Sequence, residues 1–240
     1  MADIAIPYQR LKTIFLDAGN TIVTMELSYL VEALEAAGIA CDPVALRRAE
    51  AAARPVVSAA LPTLRSTETM GTFEFYLREM LTRVSLTPAQ SGETVARLAH
   101  DLAPLIDRVG RVAFWSHVLP GVPEALAGLR ARGLNLTVVS NSDGTVERLL
   151  TEVGLRPFFD AVIDSRVVGY EKPDPRIFTH ALETVGATAA TTLHVGDLYE
   201  ADVVGARAAG LHALLLDPFD DWPDVDCPRA ADLTALVARL

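Results

Sequence analysis

Thr13-Ile14-Phe15-Leu16-Asp17-Ala18-Gly19-Asn20-Thr21 decides how the rest of the chain is read. An apolar run ends in a single aspartate, and a Gly-containing turn comes next. A short apolar run bounded by turn residues predicts a buried strand, placed here at residues 11–17, with the chain turning away over 18–24. In open α/β sheets ligands bind outside the carboxyl ends of the strands, so Asp17 stands where chemistry is done. Asp before Gly also turns chains with no further role, and the stretch gains meaning only in company with later parts of the chain.

The next change of pattern is abrupt. From Met25 to about Arg111 only helical spacing is found, and no strand is expected there. Leu27, Leu30, Val31 and Leu34 form one apolar face, ended at Gly38. Asp42-Pro43 opens a second helix running to about Ala60. Phe73, Leu77, Met80, Leu81 and Val84 mark a third. Thr87-Pro88 is expected to open a fourth, through Val95, Leu98, Leu102 and Leu105, with Pro104 kinking or splitting it.

From Val112 onward strands and helices alternate. Helices are expected over Val122–Arg132, Thr145–Val153, from Asp174-Pro175 to Val185, over Ala201–Ala209 and over Asp232–Leu240. Strands are expected over Leu134–Ser140, Phe159–Asp164, Thr192–Gly196 and Ala213–Leu216. This alternation predicts a parallel sheet with right-handed crossovers. The fold class is therefore α/β, interrupted after its first strand by a helical insertion far longer than an ordinary loop. The expected division is 1–24 and 112–240 for the core and 25–111 for an all-helical insert covering the first strand's end.

Composition narrows the function classes. Half of the 240 residues are hydrophobic, which argues against disorder. The net charge of −10, from 31 acidic and 21 basic residues, argues against nucleic acid or an anionic membrane as partner. No apolar run is long enough to span a bilayer, and Met1–Arg10 lacks the apolar core of a secretory signal. A soluble cytoplasmic protein is expected. Cys41 and Cys227 lie far apart, with neither metal-like spacing nor a disulfide framework.

Three further stretches bear chemistry. Leu136-Thr137-Val138-Val139-Ser140-Asn141-Ser142 is a strand ending in a small hydroxyl that could donate to an anionic oxygen, or serve as a turn or N-cap serine. In Gly169-Tyr170-Glu171-Lys172-Pro173-Asp174-Pro175, Lys172 is one of only two lysines in an arginine-rich chain. This suggests a selected point charge, since lysine and arginine are not interchangeable at tight sites; otherwise it is a solvated surface lysine. In Leu193-His194-Val195-Gly196-Asp197-Leu198-Tyr199-Glu200-Ala201-Asp202, Asp197 ends a strand and Asp202 begins the next helix. Carboxylates converging at strand ends suit Mg²⁺, although Asp197 could be a turn residue and Asp202 a helix-dipole partner.

Taken in order, the four stretches resemble the haloacid dehalogenase-like hydrolase superfamily. Asp17 and Thr21 match its first motif, Ser140 its second, Lys172 its third, and Gly196-Asp197 with Asp202 its fourth. The resemblance implies a Rossmann-like three-layer sandwich with the first strand central and a C1-type helical cap. It implies that Asp17 is a nucleophile forming a covalent aspartyl intermediate. It further implies Mg²⁺ held by Asp17, the Gly19 carbonyl and Asp197, and Ser140 and Lys172 stabilising phosphoryl charge. Asn20, Thr21 and Asn141 would contact substrate, and Asp202 would orient Lys172 or a metal-bound water. The implied partner is a small phosphorylated metabolite.

Gly19 departs from the pattern. Phosphatases of the superfamily carry there a second aspartate that protonates the leaving alcohol and then activates water. Such general acid–base help is worth about 10²–10⁴-fold. The haloacid dehalogenases lack that aspartate but attack carbon without Mg²⁺. Phosphonatases also lack it but use a cap lysine, and residues 25–111 contain no lysine. Three readings stay open: a Mg²⁺-dependent phosphohydrolase, favoured for substrates with good leaving groups such as acyl or aryl phosphates; a 2-haloacid dehalogenase-type hydrolase; and a weakly active or non-catalytic binding protein. Within the insert, Arg54, Arg65 and Arg78 could reach an anionic group or be solvated helix charges. Phe73, Phe75 and Tyr76 could meet an aryl ring or pack between helices. Trp115 and His117 are expected to form a hinge.

Overall fold

The computed structural model describes residues 6–64, 66–222 and 224–240. The decisive stretch forms strand β1 (Thr13–Leu16), every residue of it buried. Side chains alternate across a strand, so Ile14 and Leu16 enter one apolar cluster and Phe15 another on the opposite face. A short β2 (Val23–Thr24) leads out of the turn into a run of helices.

Those helices are α1 (Ser28–Ala36), α2 (Pro43–Leu64), α3 (Met70–Arg83), α4 (Gly92–Leu102), α5 (Leu105–Val109) and α6 (Arg111–Phe114). They share one core of their own, in which Leu34, Leu46, Leu77, Met80, Leu98 and Phe114 meet. Phe73 packs edge-on against Phe114, with ring centroids 5.6 Å apart. Pro104 separates α4 from α5, as its missing N–H predicts. The expectation that Thr87-Pro88 opens the fourth helix is corrected. Thr87 exchanges both backbone hydrogen bonds with Ala40, and Ser91 caps α4 instead, its hydroxyl accepting from the Thr94 amide.

The chain returns through β3 (His117–Val118), which pairs antiparallel with β2, Val23 opposite Val118 and Thr24 opposite His117. The outgoing and returning connections are thus tied side by side. Two-residue strands carry no readable periodicity, so the sequence gives no sign of this ribbon.

Alternation then resumes with α7 (Val122–Ala131), β4 (Asn135–Ser140), α8 (Val146–Glu152), β5 (Ala161–Asp164), the short α9 (Ser165–Val168), α10 (Pro175–Val185) and β6 (Thr192–Gly196). Asp174 caps α10 through its carboxylate, with Pro175 at the first helical position. A π-helical turn spans Tyr199–Val204 and runs into α11 (Gly205–Ala208). The α-helix expected to begin at Ala201 is therefore replaced by a π turn at its start. The reason is local: the Asp202 carboxylate folds back to accept from the Leu198 amide at 2.9 Å. π turns are frequent at functional sites. The chain closes with β7 (His212–Leu216), β8 (Arg229–Ala230) and α12 (Leu233–Val237).

The six core strands pair in parallel in the order β5-β4-β1-β6-β7-β8. β1 lies inside the sheet between β4 and β6, as expected of a buried apolar run. On one face Leu126 of α7, Leu150 of α8 and Leu236 of α12 cover Ile14, Leu16, Val138 and Val195. On the other Phe178 of α10 and Ala206 of α11 cover Phe15, Val139 and Leu215. This is the three-layer, Rossmann-like α/β architecture. Among the described residues no helix is long and apolar enough to cross a membrane. Both cysteines are free.

Candidate active site

Parallel strands deliver their carboxyl ends to one edge, so Asp17 after β1, Ser140 at the end of β4 and Asp197 after β6 converge there. Their register is fixed by backbone bonds, among them the Asp17 amide donating to the Val195 carbonyl at 2.9 Å. The Lys172 loop reaches the same edge. Its Nζ donates to Asp17 Oδ1 at 2.6 Å and to Asp202 Oδ1 at 2.7 Å. Asp202 Oδ1 also accepts from His194 Nε2 at 2.9 Å. A carboxylate can only accept here, so Nε2 carries the proton. Burial lowers the His194 pKa and keeps the ring neutral; its Nδ1 has no partner among the described residues.

Gly196 is what lets Asp202 sit so close. A Cβ at position 196 would lie 2.1 Å from Asp202 Cγ, an impossible contact. The π turn and this glycine together tuck the Asp202 carboxylate beneath the end of β6. One carboxylate oxygen from each of Asp17, Asp197 and Asp202 lies within 4.8 Å of the others.

The insert contributes a second set of polar groups. Glu50 and Arg54 of α2 form a two-pronged pair, with Nε to Oε1 at 2.8 Å and Nη2 to Oε2 at 2.7 Å. Arg54 Nε also stands 3.5 Å from Asp197 Oδ2. Tyr76 donates its hydroxyl to Glu50. Asn20 Nδ2 donates to the Tyr76 oxygen at 3.0 Å and to Asp197 Oδ2 at 3.3 Å, while Asn20 Oδ1 accepts from Thr24. Arg54 is only 5% exposed, so the view of it as a solvated helix charge is corrected. Its partners Glu50 and Asp197 hold it inside. Tyr76 likewise acts through its hydroxyl and not only by packing. The sequence does carry a sign of this: Leu46, Ala49, Ala53, Val57 and Leu61 form the buried stripe of α2, and Glu50 and Arg54 fall on it.

Other expected residues divide. Ser140 lines the cavity, with its hydroxyl donating to the Asn141 carbonyl at 3.2 Å. Asn141 also lines it, but both ends of its amide are engaged with the Lys172 loop: Oδ1 accepts from the Lys172 amide at 2.7 Å and Nδ2 donates to the Lys172 carbonyl at 2.9 Å. Thr21 is buried beside the site without lining the cavity, and its hydroxyl has no partner among the described residues. Arg78 is largely exposed and lies over the Phe75 ring. Arg65 lies outside the described residues. Trp115 lines the cavity, whereas His117 belongs to the ribbon joining insert to core.

Charge explains the electrostatics. Asp17, Glu50, Asp197 and Asp202 are four buried carboxylates, facing two buried cations, Arg54 and Lys172. Fully ionised, the set would leave two negative charges over, a costly state away from water. Burial accordingly raises the Asp17 pKa despite Lys172, and it holds Asp197 well above the usual carboxylate range despite Arg54. For Asp202 burial acts the same way, but Lys172 and His194 overcome it and keep the group ionised below the usual range. The Lys172 ammonium is opposed by burial and held protonated by Asp17 and Asp202. An oxygen-lined site with more carboxylates than cations fits a hard divalent cation such as Mg²⁺.

The chain is similar to several known proteins. Haloacid dehalogenase-like hydrolase domain-containing protein 3 of Bos taurus is 43% identical over 122 residues, covering 50% of this chain and 49% of that protein. The ribulose-1,5-bisphosphate 5-phosphatase of Halopiger xanaduensis is 33% identical over 130 residues, covering 51% of this chain and 53% of that protein. The matches thus span about half the length of these two relatives. The crystal structure of the putative HAD-hydrolase YfnB from Bacillus subtilis, which is bound to magnesium, superposes with a TM-score of 0.65 at 21% identity, covering 96% of this chain and 99% of that one. At that identity the likeness speaks for the fold. Residues 11–210 match the family model for haloacid dehalogenase-like hydrolases, and the chain belongs to that family.

Proposed function

We propose that the protein is a Mg²⁺-dependent phosphohydrolase acting on a small phosphorylated substrate through an aspartyl-phosphate on Asp17, with the helical insert as its cap. The observation that carries this reading is the array of Asp17, Lys172 and Asp202 beside Asp197, in which buried carboxylates outnumber buried cations. The phosphatase named among the relatives supports it.

An oxygen of Asp17 attacks phosphorus, and the bond to the leaving oxygen breaks with its electron pair staying on that oxygen. Water then attacks the acyl-phosphate, releasing phosphate and restoring the carboxylate. Lys172 holds Asp17 Oδ1, which fixes the side chain and leaves Oδ2 on the Gly19 side. Positioning of this kind lowers the barrier by fixing the reacting geometry in advance. Ser140 and Lys172 face the developing phosphoryl charge; removing one such donor costs about 2.7–4 kcal/mol of barrier. Asp202, braced by His194 and Leu198, orients Lys172. Asp17, the Gly19 carbonyl and Asp197 would hold the Mg²⁺, which when bound supplies charge that screens the carboxylate from the anionic phosphate. Gly19 supplies no proton, so the leaving oxygen takes one from water.

The glycine at 19 also favours a second reading, displacement at carbon as in a 2-haloacid dehalogenase, in which no acid is needed. Hydrolysis of an aryl phosphate, with Mg²⁺ and with chelator, beside Asp17→Asn, separates the two. Mg²⁺-dependent turnover lost in Asp17→Asn supports the phosphohydrolase. Halide release from a 2-haloacid in chelator, with no phosphate release, overturns it.

A further inference from the structure

The apolar side of the cavity over Asp17 is formed by Val57, Phe73, Ile106, Trp115, Val146 and Leu149. It offers about 170 Å³. An engineered apolar cavity of about 150 Å³ takes up benzene, so a group of about one ring or a short chain is on the scale of this space.

The polar side chains on the insert's wall are already partnered within the protein. The Thr67 hydroxyl has Glu171 and Glu68 as alternative acceptors at 3.0 and 3.1 Å, the Thr69 hydroxyl pairs with that of Thr72, and the Thr72 hydroxyl donates to the Ser66 carbonyl. Tyr76 donates to Glu50. Arg111, the one cation on that wall among the described residues, is held by Asp143 at 3.2 Å and Glu68 at 3.7 Å. The one cation on this wall thus already faces two carboxyl groups, and the hydroxyls named have acceptors within the protein. Apolar surface makes up most of the lining.

Gly19 extends that surface toward the nucleophile. The place its side chain would fill lies 3.7 Å from the Trp115 ring and 3.9 Å from Asp17 Oδ2. A leaving group held there meets the indole where other phosphatases have an acid. We infer that the substrate is a phosphate monoester with an apolar leaving group the size of one aromatic ring, seated against Trp115. This inference rests on the phosphohydrolase reading. It places the enzyme after a reaction that phosphorylates a small apolar alcohol or phenol. Aromatic surface in a desolvated pocket binds a ring by area and by edge or stacked contact.

The test compares substrates whose leaving groups are both alcohols, so that acidity of the leaving group weighs little: benzyl phosphate against glycerol 3-phosphate, with binding of phenylphosphonate and methylphosphonate measured alongside. Benzyl phosphate is expected to show a kcat/KM at least about tenfold higher, the size of effect one apolar group gives in such a pocket. Phenylphosphonate is expected to bind correspondingly more tightly than methylphosphonate. Trp115→Ala should collapse the ratio through KM, and Trp115→Phe should keep most of it. Equal or greater turnover of glycerol 3-phosphate, or a ratio unchanged in a folded Trp115→Ala, overturns the inference while leaving the phosphohydrolase standing. No turnover of either ester together with no binding of either phosphonate overturns both.

Discussion

Arg54 of the insert and Asp197 of the core, 143 residues apart in sequence, stand 3.5 Å from each other between Nε and Oδ2, while Glu50 accepts from the same Nε and from Nη2. Helix α2 thereby sets a fixed cation against a carboxylate expected to bind metal. The neighbouring Ser58 hydroxyl accepts from the Glu200 amide at 2.9 Å and seats the same helix on the π turn. Insert and core meet at the buried charges of the candidate site.

Removing Arg54 alone leaves Glu50 buried without its cation. Arg54→Gln and Glu50→Gln should each destabilise by about 3–5 kcal/mol, with the double variant costing much less than the sum of the two. Urea denaturation of the four proteins checks this. In the folded Arg54→Gln protein Asp197 also loses a competing positive charge, so Mg²⁺ titrated by calorimetry should bind more tightly than to the wild type. Weaker binding would mean that Arg54 supports the metal site instead of opposing it.

Gly19→Asp should fold, because the nearest atoms around the added Cβ are at ordinary contact distance. If only the missing acid limits hydrolysis, turnover of phosphates with poor leaving groups should rise, up to about 10²-fold, and aryl phosphates should change little. A plot of log kcat/KM against leaving-group pKa should flatten. An unchanged slope, with Mg²⁺ binding intact, counts against this account.

Gly196→Ala should lose activity and stability together. The added Cβ cannot coexist with Asp202 where it stands, so Asp202 must give up its place between Lys172 and His194. A reduced melting temperature and loss of kcat are expected, while an active, fully stable variant would show that Asp202 need not sit under Gly196.

Burial pushes the Glu68 carboxyl from the ordinary value of 4.5 up to about 7, against the opposing effects of Thr67 and Arg111. The folded state then keeps a proton that the unfolded chain releases. Stability should fall as pH rises from about 4.5 to about 7 and flatten above that. Glu68→Gln should weaken this slope in melting temperatures measured across the range.

How much of this was legible differs from residue to residue. Thr192–Gly196 reads as a strand because it is short, apolar and bounded, and the structure agrees to the residue. The Asp174-Pro175 start of α10 is equally plain, since cap and helix are neighbours in sequence. Thr87-Pro88 carries the same local signature and fails, because its backbone bonds go to Ala40 across the insert. The start of the helix after Asp197 misleads for a related reason. Asp202 satisfies Leu198 from inside the turn, and a π turn results.

The sequence by itself determined the alternation of strands and helices, the interruption after β1, and the order of Asp17, Ser140, Lys172 and Asp197 along the chain. These come from periodicity and turn chemistry acting over a few residues. Only the tertiary structure decided that Glu50, Arg54 and Tyr76 close over Asp197, that Asn141 braces Lys172, and that Trp115 faces the space left by Gly19. Those contacts join residues many turns apart. They exist because buried charges and hydroxyls must find partners wherever packing brings them together, and local sequence patterns do not record that choice.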